Sequence, residues 1–284
     1  MLMYTKEELQ EIFRIVYNKS KKRFITKVDL CNYLSTNEKY LRENIQSTGA
    51  YEDCDDVFLN IKKTIKVFDN IDEEAAYWLG YLMADGCFTT NSWGTGFRLM
   101  LECKIEDKEI LEKFCEYLNI RKDRITIGHN GRSVALTMTD NVFSTSPSKY
   151  GINRNKSHAE NHIPQFVYGN EQLFWQYFRG LVDGDGTIYT QKGALGVGIV
   201  GNSKTFMEEL KNEMQKYLPE PTSVWILERT IQQQKGRNAT QSIYLLKIGS
   251  GKHNHSNLHY LYQKFYNNQK IILTRKEQLL KNIL

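Results

Sequence analysis

Apolar positions at helical spacing open the chain. Leu9, Ile12, Phe13 and Val16 share one face of residues 5–18 and predict an amphipathic helix, followed by a basic connection at residues 19–23. Residues 25–45 carry two shorter apolar faces, Leu30 with Leu34 and Leu41 with Ile45, behind two cap patterns, Thr26-x-x-Asp29 and Ser35-x-x-Glu38. Two short helices across a tight polar turn match a helix-turn-helix, whose second helix (residues 37–45) would offer Lys39, Arg42 and Asn44 to a major groove. The same pattern equally describes a small helical appendage that only packs. An acidic patch, Glu52, Asp53, Asp55 and Asp56, then precedes residues 57–68, read as a linker or short helix.

The dominant pattern lies further on and occurs twice. Residues 77–86 read Y-W-L-G-Y-L-M-A-D-G, and residues 177–186 read Y-F-R-G-L-V-D-G-D-G, an offset of 100. Each stretch predicts two to three helical turns with a small pair four apart, Gly80/Ala84 and Gly180/Gly184, so a flat stripe on one face lets two backbones approach. Gly86 and Gly186 are expected to end these helices in the left-handed conformation. Asp85 and Asp185 stand at the helix C-termini, where the macrodipole disfavours a carboxylate. A local rule broken twice at matching positions points to function.

The offset persists. Ile110, Phe114, Tyr117 and Leu118 correspond to Leu210, Met214, Tyr217 and Leu218, at helical spacing in both copies. Strand-like stretches follow at residues 97–105 and 195–204, then 125–128 and 224–227, then 134–138 and 243–248, the second copy having a longer insert before its last strand. A closing helix is expected to end each half. The predicted fold is α+β: a pseudo-two-fold duplication of an αββαββα unit (residues 71–165 and 166–284) with a helical unit over residues 1–70. Gly196, Gly198 and Gly201 spell G-x-G-x-x-G, but the matching stretch of the first copy is itself a strand. A dinucleotide loop, which must open a helix, is therefore rejected.

Composition narrows the class. With 40% hydrophobic and 25% charged residues, the 284-residue chain is of globular type, with no apolar run long enough to span a bilayer. Residues 1–8 lack the apolar core of a signal peptide, and five scattered cysteines with no C-x-x-C read as reduced thiols. The expected location is intracellular: bacterial cytoplasm or nucleoid, a phage-infected cell, or an organelle matrix. Net charge is only +5, but residues 121–158 hold seven Lys/Arg against two acids, and residues 251–284 hold six against one. Basic surface at the back of each half suits a phosphate backbone, and equally suits a solvated helical face.

If the two striped helices pack together, Asp85 and Asp185 meet at one end of the pair. Carboxylates about 4 Å apart repel by about 1–4 kcal/mol. A divalent cation relieves that repulsion, and hard oxygen donors of this type select Mg²⁺, with Mn²⁺ expected to substitute. Such a centre suits hydrolysis of a phosphodiester.

The same stretches carry a family resemblance. L-G-Y-L-M-A-D-G (residues 79–86) and R-G-L-V-D-G-D-G (residues 179–186) resemble both copies of the namesake motif of single-chain LAGLIDADG homing endonucleases, over roughly residues 75–284. The stretch N-K-S-H-A-E-N-H-I-P, with Lys156 and Pro164, and the terminal I-I-L-T-R-K-E, with Arg275 and Lys276, are similar to further family features. Tyr81 and Met83 depart from the commoner small or acidic residues of the first motif.

The resemblance implies a metal-dependent, site-specific double-strand DNA endonuclease that leaves 3′ overhangs and mobilises an intron or other element. It implies Asp85 and Asp185 as metal ligands, helped by the carbonyls of Ala84 and Gly184, with Lys156 and Lys276 lining the site to polarise a water or steady charge. It further implies saddle-like antiparallel sheets over the major groove. The DNA contacts would then come from Asn91, Arg98, Lys104, Arg132, Tyr189, Gln191, Lys192, Arg229, Gln232, Gln234, Lys235 and Arg237, with Lys39 and Arg42 from the N-terminal unit. The halves differ at nearly all these positions, so a monomer on a long asymmetric duplex is expected. The alternatives are an RNA-splicing maturase, with host intron RNA as partner, or a DNA-binding regulator that no longer cuts. The chain does not look like a self-splicing intein.

Overall fold

The computed structural model describes residues 4–20, 27–41, 67–90, 97–128, 131–138, 143, 147–152, 160–189, 195–232, 240–250 and 255–284. Three helices come first: α1 (Lys6–Ser20), α2 (Lys27–Tyr33) and the single turn α3 (Glu38–Tyr40). Thr5 and Glu8 cap α1 reciprocally, each side chain accepting the other's backbone N–H at 3.2 and 2.8 Å. Leu9, Phe13, Val16, Leu30, Cys31 and Leu41 make a small core of their own. The predicted cap at Ser35 is displaced: Ser35 takes a left-handed turn (φ 49°), and Asn37 caps the next helix by accepting from the Tyr40 N–H at 2.9 Å. Description stops at Leu41, so Arg42, Asn44 and the rest of the expected recognition helix lie outside the described residues.

Two buried helices organise the remainder, α4 (Glu73–Asp85) and α6 (Glu171–Asp185), each opened by a side-chain cap, Asp72 on Ala75 N–H and Asn170 on Leu173 N–H. Every residue from 75 to 83 of α4 and from 174 to 183 of α6 is buried. Helices buried on every face belong at the centre of a molecule. An added Cβ at Gly80 would sit 2.0 Å from the Tyr177 carbonyl oxygen, and one at Gly180 would sit 2.1 Å from the Tyr77 carbonyl oxygen. Those reciprocal contacts, again 100 residues apart, are the signature of a two-fold crossing at the small-residue stripe.

Gly86 and Gly186 do not adopt the left-handed conformation expected of them. Their φ/ψ are −68/131° and −75/156°, extended geometry that carries the chain straight into a strand. What requires glycine is closeness. An added Cβ would lie 2.4 Å from the Leu82 carbonyl oxygen at Gly86 and 2.5 Å from the Val182 carbonyl oxygen at Gly186.

Each half then lays out the same antiparallel sheet. The first comprises β1 (Gly86–Thr90), β2 (Phe97–Lys104), β3 (Ile125–Ile127) and β4 (Ser133–Met138), in the order β1-β2-β4-β3. The second comprises β5 (Thr187–Tyr189), β6 (Leu195–Gly201), β7 (Val224–Gln232) and β8 (Thr240–Ser250), in the order β5-β6-β8-β7. The G-x-G-x-x-G stretch is strand β6, as its register with β8 shows. The intervening helices α5 (Lys108–Tyr117) and α7 (Lys204–Met214) bury the predicted pairs Ile110/Leu210, Phe114/Met214 and Leu118/Leu218.

The halves close differently. The second ends in α8 (Ser256–Tyr266) and α9 (Thr274–Lys281), whereas the first shows, among the described residues, only a 3₁₀ turn at Pro147–Tyr150 where a helix was expected. Phe68 is buried in the main core and its carbonyl accepts from the Tyr150 hydroxyl at 2.9 Å, so the core begins before residue 70.

The two halves clasp each other through exchanged segments. Residues 160–170, the connector between the last described turn of the first half and α6, lie on α7: Ser203 Oγ bonds both the N–H and the carbonyl of Asn161 at 3.1 Å, and Glu209 and Glu213 accept from Ile163 and Gly169 N–H at 2.9 and 2.7 Å. The chain's last part returns to the first half. Lys113 donates to the Ile272 carbonyl at 3.2 Å, Thr274 to Glu109 at 3.0 Å, and Arg275 forks onto Asp107 at 3.3 and 2.9 Å. Among the described residues, no helix is long and apolar enough to cross a membrane.

Candidate active site

Both motif acids sit at the same end of the α4/α6 pair. Asp85 is the last residue of α4 and Asp185 the last of α6, and each leads into the edge strand of its sheet. Asp85 is partly exposed and Asp185 exposed. An added Cβ at Gly184 would sit 2.4 Å from the Ala84 Cβ and 3.3 Å from Asp85 Oδ2, so the Asp85 carboxylate lies against the residue that precedes Asp185. Gly184 leaves room there that an alanine would fill. The donors converging at this end are carboxylates and helix-terminal carbonyls, an all-oxygen set that suits Mg²⁺. Among the described residues, no group of three or more His, Cys, Asp or Glu is placed to hold a metal ion by itself.

The charge of Asp85 is felt nearby. Burial, then Asp107 and Asp85, push the Cys103 thiol up to about 12, and burial, then Asp85, push the Tyr81 hydroxyl well above its usual value. Burial pushes the Cys115 thiol to about 12 as well. Neither thiol supplies a thiolate nucleophile at neutral pH.

Lys276 reaches the acid-bearing end of α6. It is buried, and its ammonium donates to the carbonyls of Val182, Asp183 (2.8 Å), Gly184 (3.2 Å) and Gly186 (3.0 Å). These carbonyls lie at and just past the α6 C-terminus, so Lys276 caps the helix that delivers Asp185 and offsets its dipole. Burial holds its pKa below the ordinary lysine value. The expected carbonyl ligand Gly184 is thereby already a hydrogen-bond acceptor. Lys156 lies outside the described residues.

A buried polar cluster beside this cap was not anticipated. Asp183 is buried and accepts from the Tyr77 hydroxyl at 2.9 Å, which ties α6 to α4. Arg179, also buried, donates to the carbonyls of Phe265 and Ile271, both at 2.7 Å, and lays its guanidinium 4.2 Å over the Tyr77 ring. Burial pushes the Asp183 carboxyl up, opposed by Arg179 and Lys276. The signal was present in the second motif, whose R-x-x-x-D spacing puts both side chains on one helical face.

Among the predicted DNA contacts, alternation places Arg98 and Lys104 on the exposed face of β2, opposite buried Leu99 and Leu101. Arg229 is exposed on β7, and Arg132 is exposed just before β4. Tyr189 is half-buried, its hydroxyl donating to the Ile248 carbonyl at 3.3 Å, and Lys39 is exposed on α3. Gln232 belongs to β7. Asn91, Gln191, Lys192, Gln234, Lys235, Arg237 and Arg42 lie outside the described residues.

No protein-family model and no curated protein sequence matches the chain. Solved structures similar to it are LAGLIDADG proteins. The I-LtrWI LAGLIDADG homing endonuclease bound to target DNA is 12% identical over 75% of this chain and 90% of that one, with a TM-score of 0.42. The LAGLIDADG meganuclease I-CpaMI bound to uncleaved DNA is 11% identical over 75% and 91%, with a TM-score of 0.45. The N-terminal LAGLIDADG domain of WhiA is 14% identical over 74% and 96%, with a TM-score of 0.40.

Proposed function

We propose that the chain is a metal-dependent, site-specific double-strand DNA endonuclease of the LAGLIDADG type, acting as a monomer on an asymmetric target. One observation carries the reading: the Gly80/Gly180 crossing brings two motif acids, 100 residues apart, to one end of a single helix pair. Packing alone would not select a carboxylate at a helix C-terminus twice. Asp85 and Asp185, with helix-terminal carbonyls, would hold Mg²⁺, which when bound stabilises the attacking and leaving oxygens of a phosphodiester. The protein's part is orientation: Lys276 fixes the end of α6, the Tyr77–Asp183 bond fixes α6 against α4, and the exchanged segments hold the two sheets on one frame. Mobility of an intron or other element is the biological role that follows from such cutting.

The test is cleavage selection. Purified full-length chain is incubated with a randomised duplex library and Mg²⁺ or Mn²⁺, and the cut ends are sequenced. Enrichment of one asymmetric site with 3′ overhangs, abolished by chelator, is expected. Specific binding without cutting in either metal would instead support the regulator or, if the host intron splices only with the protein present, the maturase.

A further inference from the structure

The outer faces of the two sheets differ in chemistry. In the first sheet the side chains opposite the core include Arg98, Glu102, Lys104 and Ser133, the last donating to Glu102 at 2.5 Å; Met100 stands where the second sheet has Val200, but its β4 neighbour is Thr137. In the second sheet the register sets Leu227 beside Leu245 and Leu245 beside Val200, an apolar row across three strands. Leu227 and Val200 are 38% and 46% exposed. Trp225 continues the face, its ring lying over Gly249, where an added Cβ would meet it at 2.4 Å. Cations flank the row: Lys247 pairs with Trp225 on one side, and Arg229 pairs with Ile243 on the other.

The row runs into the acid centre. Val200 and Ile243 line the same cavity of about 290 Å³ as Ala84 and Asp185. Whatever the carboxylates act on therefore continues over this apolar surface, and the flanking cations suit a polyanion. In a major groove, the apolar feature a protein can read is the C5-methyl of thymine.

We infer that the second half reads its half-site through thymine C5-methyl groups laid on the Val200, Leu245 and Leu227 row, while the first half reads by polar contacts. This rests on the DNA-binding reading above.

The experiment uses the full chain and the duplexes it enriches from a randomised library by binding. The enriched site is resynthesised with each thymine replaced by deoxyuridine, which lacks only the methyl. Affinity should fall about fourfold per uracil at the second half-site, the effect of one buried methylene-sized group. It should be unchanged by uracil at the first half-site. Leu227→Gln and Leu245→Gln, with unaltered thermal unfolding, should abolish the uracil sensitivity and thereby identify which positions this half contacts. Uracil tolerance throughout, or sensitivity that persists in both variants, overturns the inference alone. An absence of any enriched duplex overturns it together with the DNA reading. Self-association of the chain that Leu227→Gln dissolves without changing DNA affinity would assign the face to a second copy, and also overturns it.

Discussion

The two halves share one topology and differ in wiring. Where α6 carries buried Arg179, bonded to the Phe265 and Ile271 carbonyls, and buried Asp183, bonded across the helix pair to Tyr77, the matching positions of α4 are Leu79 and Met83. The α6 C-terminus is capped by a buried ammonium from α9. The backbone contact is thus two-fold symmetric, while a buried arginine and a buried aspartate at these two positions belong to α6 alone. Duplication supplied the geometry twice, and divergence left the scaffold's symmetry intact because Gly80 and Gly180 tolerate no side chain, whereas positions 79/179 and 83/183 accept either packing or hydrogen bonds.

The sharpest way to break this comparison is at the crossing. Gly80→Ala and Gly180→Ala should each destabilise by at least about 3 kcal/mol, since neither backbone carbonyl can yield 1 Å or more. Urea denaturation should show near-equal losses, and a tolerated alanine at one position only would refute the symmetry. Next comes the wiring. Arg179→Leu makes α6 resemble α4 at one position, strips the Phe265 and Ile271 carbonyls of their donor and removes the cation that opposes the burial of Asp183, a loss of about 1–3 kcal/mol. Adding Asp183→Met should recover at least about 1 kcal/mol, because the pair is coupled.

A smaller effect concerns the connector. Glu213 is buried; burial pushes its carboxyl up, but hydrogen bonds from Lys216, Gly169 N–H and Tyr217 outweigh this and hold it below the usual carboxylate value. A depressed folded pKa adds stability above the unfolded value, lost as pH falls through the folded one. Glu213→Gln should therefore destabilise at pH 7, with the difference vanishing once the pH has fallen through the folded carboxyl's pKa, as thermal unfolding across pH would show. The smallest expected effect on catalysis is removal of residues 1–66, which keeps Phe68 in the core. DNA affinity should weaken across a salt series while cutting persists, and an unchanged affinity would make the helical unit a bystander.

The helix pair was legible in the sequence because three constraints coincide there: small residues at spacing four, acids at the wrong helix end, and a fixed offset of 100. The amphipathic faces of α5 and α7 were legible for the same reason that periodicity reports burial. Lys276 was found but its carbonyl partners were not, since a lysine in a terminal basic stretch reads alike whether it meets a water or four carbonyls. Gly86 and Gly186 were read for left-handed freedom when the cause was steric, a distinction that requires knowing how closely the strand leaves the helix. The exchange of segments, with Arg275 on Asp107 and Ser203 on Asn161, depends on contacts between residues far apart in the chain, and no local pattern encodes it.

The central claim is that Asp85 and Asp185 form one catalytic centre despite the unequal halves. Strand-resolved cleavage of the selected site by Asp85→Asn and Asp185→Asn, alongside measured binding, tests it most directly. Each variant should bind like the parent and either cut neither strand or nick only one. Full double-strand cutting by either variant would contradict the account.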